Sequence, residues 1–129
     1  MKSKTFCMTS VFATLMAAAS LTMSSAVEAH HSFAMFDQTK TVVTKAVVAR
    51  IEWTNPHAYM FFAAAGKTGA AATMAIECGS ISLLVRKGWK VNSLRVGETV
   101  TVTYHPFRNG RTGGMLVSIG MANGSVLKG

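Results

Sequence analysis

After residue 41 the chain alternates apolar and polar positions with a period of two, the pattern of half-buried strands. In "TVVTKAVVARIEW" (41–53) the alternation predicts a first strand. Val43, Val47, Ala49, Ile51 and Trp53 would share one face and Arg50 and Glu52 the other, with Lys45 as the exception. "TNPH" follows as turn chemistry, because Pro56 fixes its own φ and biases Asn55 towards an extended conformation. "AYMFFAA" is apolar on both faces and suits a well-covered second strand. The Gly/Ala stretch 64–72 reads as a loop, and "TMAIEC" as a third strand with Met74, Ile76 and Cys78 aligned. The period then changes. Ser80 can cap a short helix, Ile81 and Leu84 give it one apolar face, and Gly88 suits the position just past its end. Arg86 and Lys87 fall in its last turn, where the helix dipole favours cations. "TVTVTYH" is the clearest alternation, with Val100, Val102 and Tyr104 inward. "RNGRTGG" is a hairpin loop, and "MLVSIGM" places Met115, Val117, Ile119 and Met121 on one side. The expected fold is mainly β, a small five-stranded OB-like barrel or roll with one short helix between strands three and four.

Ahead of this domain the pattern is of another kind. Lys2 and Lys4 precede an uncharged stretch from Thr5 to Val27, in which Phe6, Val11, Phe12, Leu15, Met16 and Leu21 stand among Ala, Ser and Thr. Residues 1–29 therefore read as a secretory signal peptide, 30–41 as an N-terminal arm and 42–129 as the barrel. Val27 and Ala29 at the −3 and −1 positions would leave His30 first in the mature chain; Ser24 and Ala26 would leave Val27 first. The first cut falls where the leader gives way to polar chain. A periplasmic or secreted protein follows, with no transmembrane segment after cleavage. Cys7 leaves with the leader, so Cys78 would be the single mature cysteine and no internal disulfide could form.

Three of the four histidines stand in two short motifs, "HHSF" (30–33) and "NPH" (55–57). A new terminus at His30 would carry an α-amino group whose ordinary pKa is about 7.7, so a metal can displace its proton near neutral pH. That amine, its own imidazole and the imidazoles of His31 and His57 form a nitrogen set suited to copper(II) first, and with water to zinc second. Asp37 could orient one imidazole. The bland alternative is an inert arm and a turn histidine, since an HH pair without spaced partners is a weak metal motif. His105, on the threonine face and before Pro106, reads as a solvated edge histidine. Cys78 reads as a buried, inert thiol.

Charge changes the picture once more. The formal +8 of the chain becomes +7 after loss of residues 1–29, with 11 basic against 4 acidic side chains left. Arg86, Lys87, Lys90 and Arg95 cluster around the helix and its following turn. They define the alternative function, a basic binding module for an anionic envelope component; export argues against nucleic acid as the partner. A structural or partner-docking envelope protein is the third class. Glu52 and Glu77 have no paired carboxylate nearby in sequence, and no serine elbow or phosphate-cradling glycine loop is present, so no enzymatic activity is expected.

With "HHSF" and the following Phe36-Asp37, "EWTNPH" (52–57) and the "RKGW" to "GETVTV" stretch (86–102), the chain resembles a family of small exported bacterial proteins of unknown function. The resemblance covers nearly all of the mature chain and implies an exported β-rich domain, without an activity to carry over. Ala46 stands where that family commonly has glycine, which speaks against a bulge in the first strand.

Overall fold

The computed structural model describes residues 33–65 and 69–129. It contains β1 (Val42–Glu52), β2 (Tyr59–Ala65), β3 (Ala71–Glu77), the helix α1 (Ile81–Arg86), β4 (Thr99–Pro106), β5 (Gly113–Gly120) and β6 (Val126–Lys128). The leader and most of the "HHSF" motif lie outside the described residues. Neighbouring strands pair antiparallel in the order β3-β2-β1-β4-β5-β6, and β3 also pairs parallel with β5. That last pairing joins the ends of the sheet and closes a five-stranded barrel, the OB-like arrangement expected from the sequence. β6 is an addition: it lies along β5, Ser118 opposite Lys128 and Gly120 opposite Val126, after the Asn123-Gly124 turn.

Two glycines allow the closure. At Gly113, with φ +114°, a Cβ would collide with the Ala75 carbonyl of β3, and at Gly114 one would collide with the His105 carbonyl of β4. The backbones of three strands approach here more closely than any side chain permits. The stretch "GG" therefore begins β5 instead of belonging to the hairpin loop.

The barrel interior holds Val48, Met60, Phe62, Met74, Ile76, Val102 and Ile119, all fully buried. The alternation of β4 is as expected: Val100, Val102 and Tyr104 point in. Two other alternations are corrected. In β1, Ala49 is an extra residue between the pairs Val48–Phe62 and Arg50–Phe61, a bulge that reverses parity along the strand. Ala46 and Val48 therefore face in before it, Val43, Lys45 and Val47 face out, and Ile51 returns inward beyond it. The bulge forms three residues from Ala46, without glycine and without a positive φ. In β5, Val117 is the extra residue between the pairs Thr103–Ser118 and Tyr104–Leu116. Leu116 and Ile119 thus carry the core, while Met115 and Val117 remain partly exposed. A bulge places two residues opposite one, so a single period cannot run through it.

α1 begins where expected. Ser80 Oγ accepts from Leu83 N–H at 3.3 Å, and Gly88 follows the helix with φ +93°. Leu84 is driven into the core, joined by Trp89 from the next turn. The Trp89 indole N–H donates to the Lys128 carbonyl at 2.7 Å, tying that turn to β6.

Candidate functional site

The turn between β1 and β2 is anchored from outside itself. Asn55 Oδ1 accepts from the backbone N–H of Ile81 at 3.1 Å, which satisfies one of the free donors at the start of α1. Ala58 N–H donates to Gly79 O (3.2 Å) and Cys78 N–H to Ala58 O (2.9 Å), so β2 and β3 stay paired up to the turn. The Thr54 hydroxyl donates to the His57 carbonyl at 3.3 Å. His57 is therefore held at a strand end, with its imidazole half exposed and Nδ1 2.9 Å from Glu77 Oε1. With the carboxylate accepting, Nδ1 is the donor of this hydrogen bond, which leaves Nε2 as the ring nitrogen that a further partner can use.

Glu77 is the buried charged residue among the described side chains. Strand register sets its other neighbours. Glu52 of β1 lies opposite Tyr59 of β2, and Tyr59 lies opposite Glu77 of β3, so two carboxylates flank one phenol on the outward face. Burial pushes the Tyr59 hydroxyl up from its ordinary pKa, and the charge of Glu77 and its hydrogen bond to that hydroxyl push it further. The next row pairs Arg50 with Phe61 and Phe61 with Ala75. The Arg50 guanidinium sits 3.8 Å from the Phe61 ring centroid and forms an ion pair with Glu52.

Over these rows hangs the β4–β5 loop. Phe107 packs on Phe36 with ring centroids 5.1 Å apart, and Arg111 lies 5.0 Å from the Phe107 centroid. Between loop and sheet is a cavity of about 290 Å³, with Glu52, Tyr59, Phe61 and Glu77 as its floor and Phe107 and Arg111 as its roof. Met35 closes one side, its carbonyl accepting from Arg108 N–H at 2.9 Å.

The other predicted site residues fall elsewhere. His30 and His31 lie outside the described residues. Asp37 is engaged locally: its carboxylate accepts from the Thr39 hydroxyl at 2.6 Å and pairs with Lys40 Nζ at 3.0 Å. The carboxylate beside His57 is Glu77 instead. His105 sits on the threonine face, yet β4 is flanked by β1 and β5 and is no edge; His105 Nδ1 donates to the Lys40 carbonyl at 2.7 Å. Arg86, Lys87, Lys90 and Arg95 are all exposed on the α1 segment and the turn after it, and Lys87 Nζ donates to the Gly129 carbonyl. Cys78 is buried beneath Glu77, and burial, aided by the Glu77 charge, pushes its thiol up to about 12. Among the described residues no three metal-binding side chains come together, and no helix is long and apolar enough to cross a membrane.

Closed barrel, inter-strand helix and an outward-facing cavity beside a carboxylate-held histidine define the class: a small OB-like β-barrel domain. Residues 17–117 match a family of unknown function (DUF6152), and the chain belongs to that family. Comparison with curated proteins and with solved structures gives no match.

Sequence reasoning missed the row Glu52–Tyr59–Glu77. The signal was present. Antiparallel strands joined by a loop over 64–72 turn about residue 68, which sets Tyr59 opposite Glu77. Arg111 and Phe107 carried no comparable signal, because their place over the sheet follows from barrel closure.

Proposed function

We propose that this domain is an exported binding protein for a divalent metal ion, copper first and zinc second, with His57 Nε2 as the donor that the barrel presents. The observation that carries this reading is the 2.9 Å contact between His57 Nδ1 and Glu77 Oε1. Metal-ligating histidines nearly always give their other ring N–H to a carboxylate or carbonyl, which fixes the tautomer and makes the ligating nitrogen more basic. Glu77 is well placed for that, being buried and itself hydrogen-bonded to Tyr59.

One imidazole does not make a site. The further ligands in this reading are His30 and His31, with the α-amino group of His30 if the leader is cut after Ala29.

Native mass spectrometry of protein exported and processed by a bacterial host tests the reading, since it reports the mature terminus and bound metal together. One copper per chain is expected. Its loss is expected in His57→Ala and on adding a residue before His30, with little response to moderate salt. Glu77→Gln should weaken the metal by about 10- to 100-fold. Copper bound equally well by His57→Ala would sink the proposal. A mature chain beginning at Val27 would remove the terminal amine and leave a three-imidazole site, for which zinc is the better test.

A further inference from the structure

We infer that α1, the turn that follows it and β6 form a docking face for the surface of an anionic lipid bilayer. This inference does not rest on metal binding, and the two surfaces have no residue in common.

The segment from α1 to β4 alternates anchors with exposed pairs. Leu84, Trp89 and Leu94 are buried in the core at regular intervals. Beside each anchor or one residue on, an apolar side chain and a cation are exposed together: Val85 with Arg86, Lys90 with Val91, Arg95 with Val96. All three valines are more than half exposed. From Cys78 to Gly97 the sequence carries four cations and no Asp or Glu. Single apolar residues scattered over a surface carry no message. Here they recur next to cations, at a spacing that the anchors impose.

β6 extends the face. The Trp89 indole N–H donates to the Lys128 carbonyl at 2.7 Å, and Lys87 Nζ donates to the Gly129 carbonyl, so β6 lies against the turn. Val126 and Lys128 are the exposed residues of that strand, on either side of half-buried Leu127. The backbone that presents the pairs is held throughout. Lys90 N–H donates to Ser93 Oγ at 2.8 Å, Arg95 N–H to Glu98 Oε2 at 3.0 Å and Gly97 N–H to the Val48 carbonyl at 2.8 Å. Little order has to be created on docking, which favours binding by a small face.

Charge complementarity selects an anionic occupant, since each lysine or arginine near an anionic membrane strengthens binding about fivefold. The valines choose among anions. A dissolved polyanion would engage the cations and leave the valines in water. A bilayer surface takes both: its interfacial region receives the apolar side chains, while lysine and arginine stems lie along it and their heads reach the phosphates.

The test uses the full chain, exported and processed by a bacterial host, with vesicles of two compositions. One is phosphatidylcholine alone, the other phosphatidylcholine and phosphatidylglycerol in equal parts, and binding is read by co-sedimentation. The mixed vesicles should bind at least about tenfold more tightly than the neutral ones, and added salt should weaken them. Lys90→Gln and Arg95→Gln should each weaken that binding about fivefold. Arg108→Gln removes the same charge on the loop beyond the far end of β4, and should change binding by less than about twofold, because salt screens it there. Val91→Ser combined with Val96→Ser should weaken vesicle binding about tenfold and leave binding of dextran sulfate, a soluble polyanion, unchanged. All these positions are exposed, so every variant should keep the thermal midpoint of the parent. Failure to bind the mixed vesicles overturns the inference. So does equal binding to neutral vesicles, or a loss in Arg108→Gln equal to that in Lys90→Gln. A serine variant that binds vesicles as the parent does also overturns it, and assigns the face to a soluble polyanion. Metal uptake should be the same in all of these variants, which separates this test from that of the metal site.

Discussion

His57 and Glu77 are twenty positions apart in the chain, yet the imidazole Nδ1 lies 2.9 Å from the carboxylate Oε1. The contact follows from three local facts. β2 and β3 pair in a register that sets Tyr59 opposite Glu77, the backbone bonds of Ala58 extend that pairing to the turn, and Asn55 pins the turn to the start of α1. The first prediction concerns what this carboxylate holds together. Glu77→Ala removes the partner of both His57 and Tyr59 at a buried position, and should cost about 1–3 kcal/mol in chemical denaturation. Glu77→Gln, which can still hydrogen-bond, should cost less. Equal stability of Glu77→Ala and the parent would mean that the residue is a surface carboxylate in solution.

Barrel closure rests on Gly113 and Gly114. A methyl group at either would meet a backbone carbonyl, of Ala75 or of His105, and a carbonyl within a paired strand cannot give way cheaply. Gly113→Ala adds the strain of φ +114°. Each substitution should therefore cost about 3 kcal/mol or more, with faster amide exchange along the β3–β5 seam. Gly124→Ala is the control: φ is also positive, +85°, but the space is open, so about 1 kcal/mol is expected. Comparable losses at Gly113 and Gly124 would show that closure does not depend on close approach.

Much of this architecture is legible in the sequence. The threonine–valine alternation of β4 marks a strand with one buried face, and Ser80, Leu84 and Gly88 mark a capped helix with one buried position. The faces of β1 and β5 were not legible, because an apolar residue inserted at Ala49 or Val117 looks like any other strand residue in sequence. The site divides along the same line. His57 stands out because a proline turn precedes it. Glu77 does not, since its role depends on register with β2, and Arg111 gains its place only once β3 and β5 have met.

The helix cap gives a smaller and cleaner expectation. Ser80 Oγ accepts the Leu83 N–H, and its other hydrogen bond among the described residues is with Ser82 Oγ at 3.1 Å. Ser80→Ala should destabilise the domain by about 1 kcal/mol, and Ser80→Gly by less, because glycine tolerates the cap conformation. The same urea titration should show an unchanged slope, as no additional surface becomes exposed.

Acid sensitivity should trace in part to Asp37. Hydrogen bonds from the Thr39 hydroxyl and from Lys40, together with the Lys40 charge, hold its pKa down at about 2, against 3.8 ordinarily. A depressed carboxyl pKa means that the ionised form is preferred in the folded state. Its contribution is therefore complete above about pH 4 and disappears as pH falls through about 2. Asp37→Asn should lower the urea midpoint at pH 6 and converge with the parent near pH 2. Parallel curves down to pH 2 would place the acid-sensitive carboxyl elsewhere.

Cys78 tests the interior from the opposite side of Glu77. Its thiol is enclosed in the barrel, with Sγ 3.7 Å from the Ile76 carbonyl, and the raised pKa of about 12 keeps it protonated at any physiological pH. Only the thiolate is an effective nucleophile, so a disulfide reagent at pH 8 should label native protein far more slowly than denatured protein. The labelling rate should then rise with added urea in step with global unfolding, because reagent gains access only when the barrel opens. A rapid native reaction, independent of denaturant, would require an opening of the barrel near β3 that leaves the rest folded. Closure by Gly113 and Gly114 on the neighbouring strand argues against such a local opening. Gly113→Ala should accordingly speed the labelling of Cys78, although position 113 does not touch the thiol. That acceleration should match the variant's loss of global stability, since the reagent reaches the thiol only when the barrel opens.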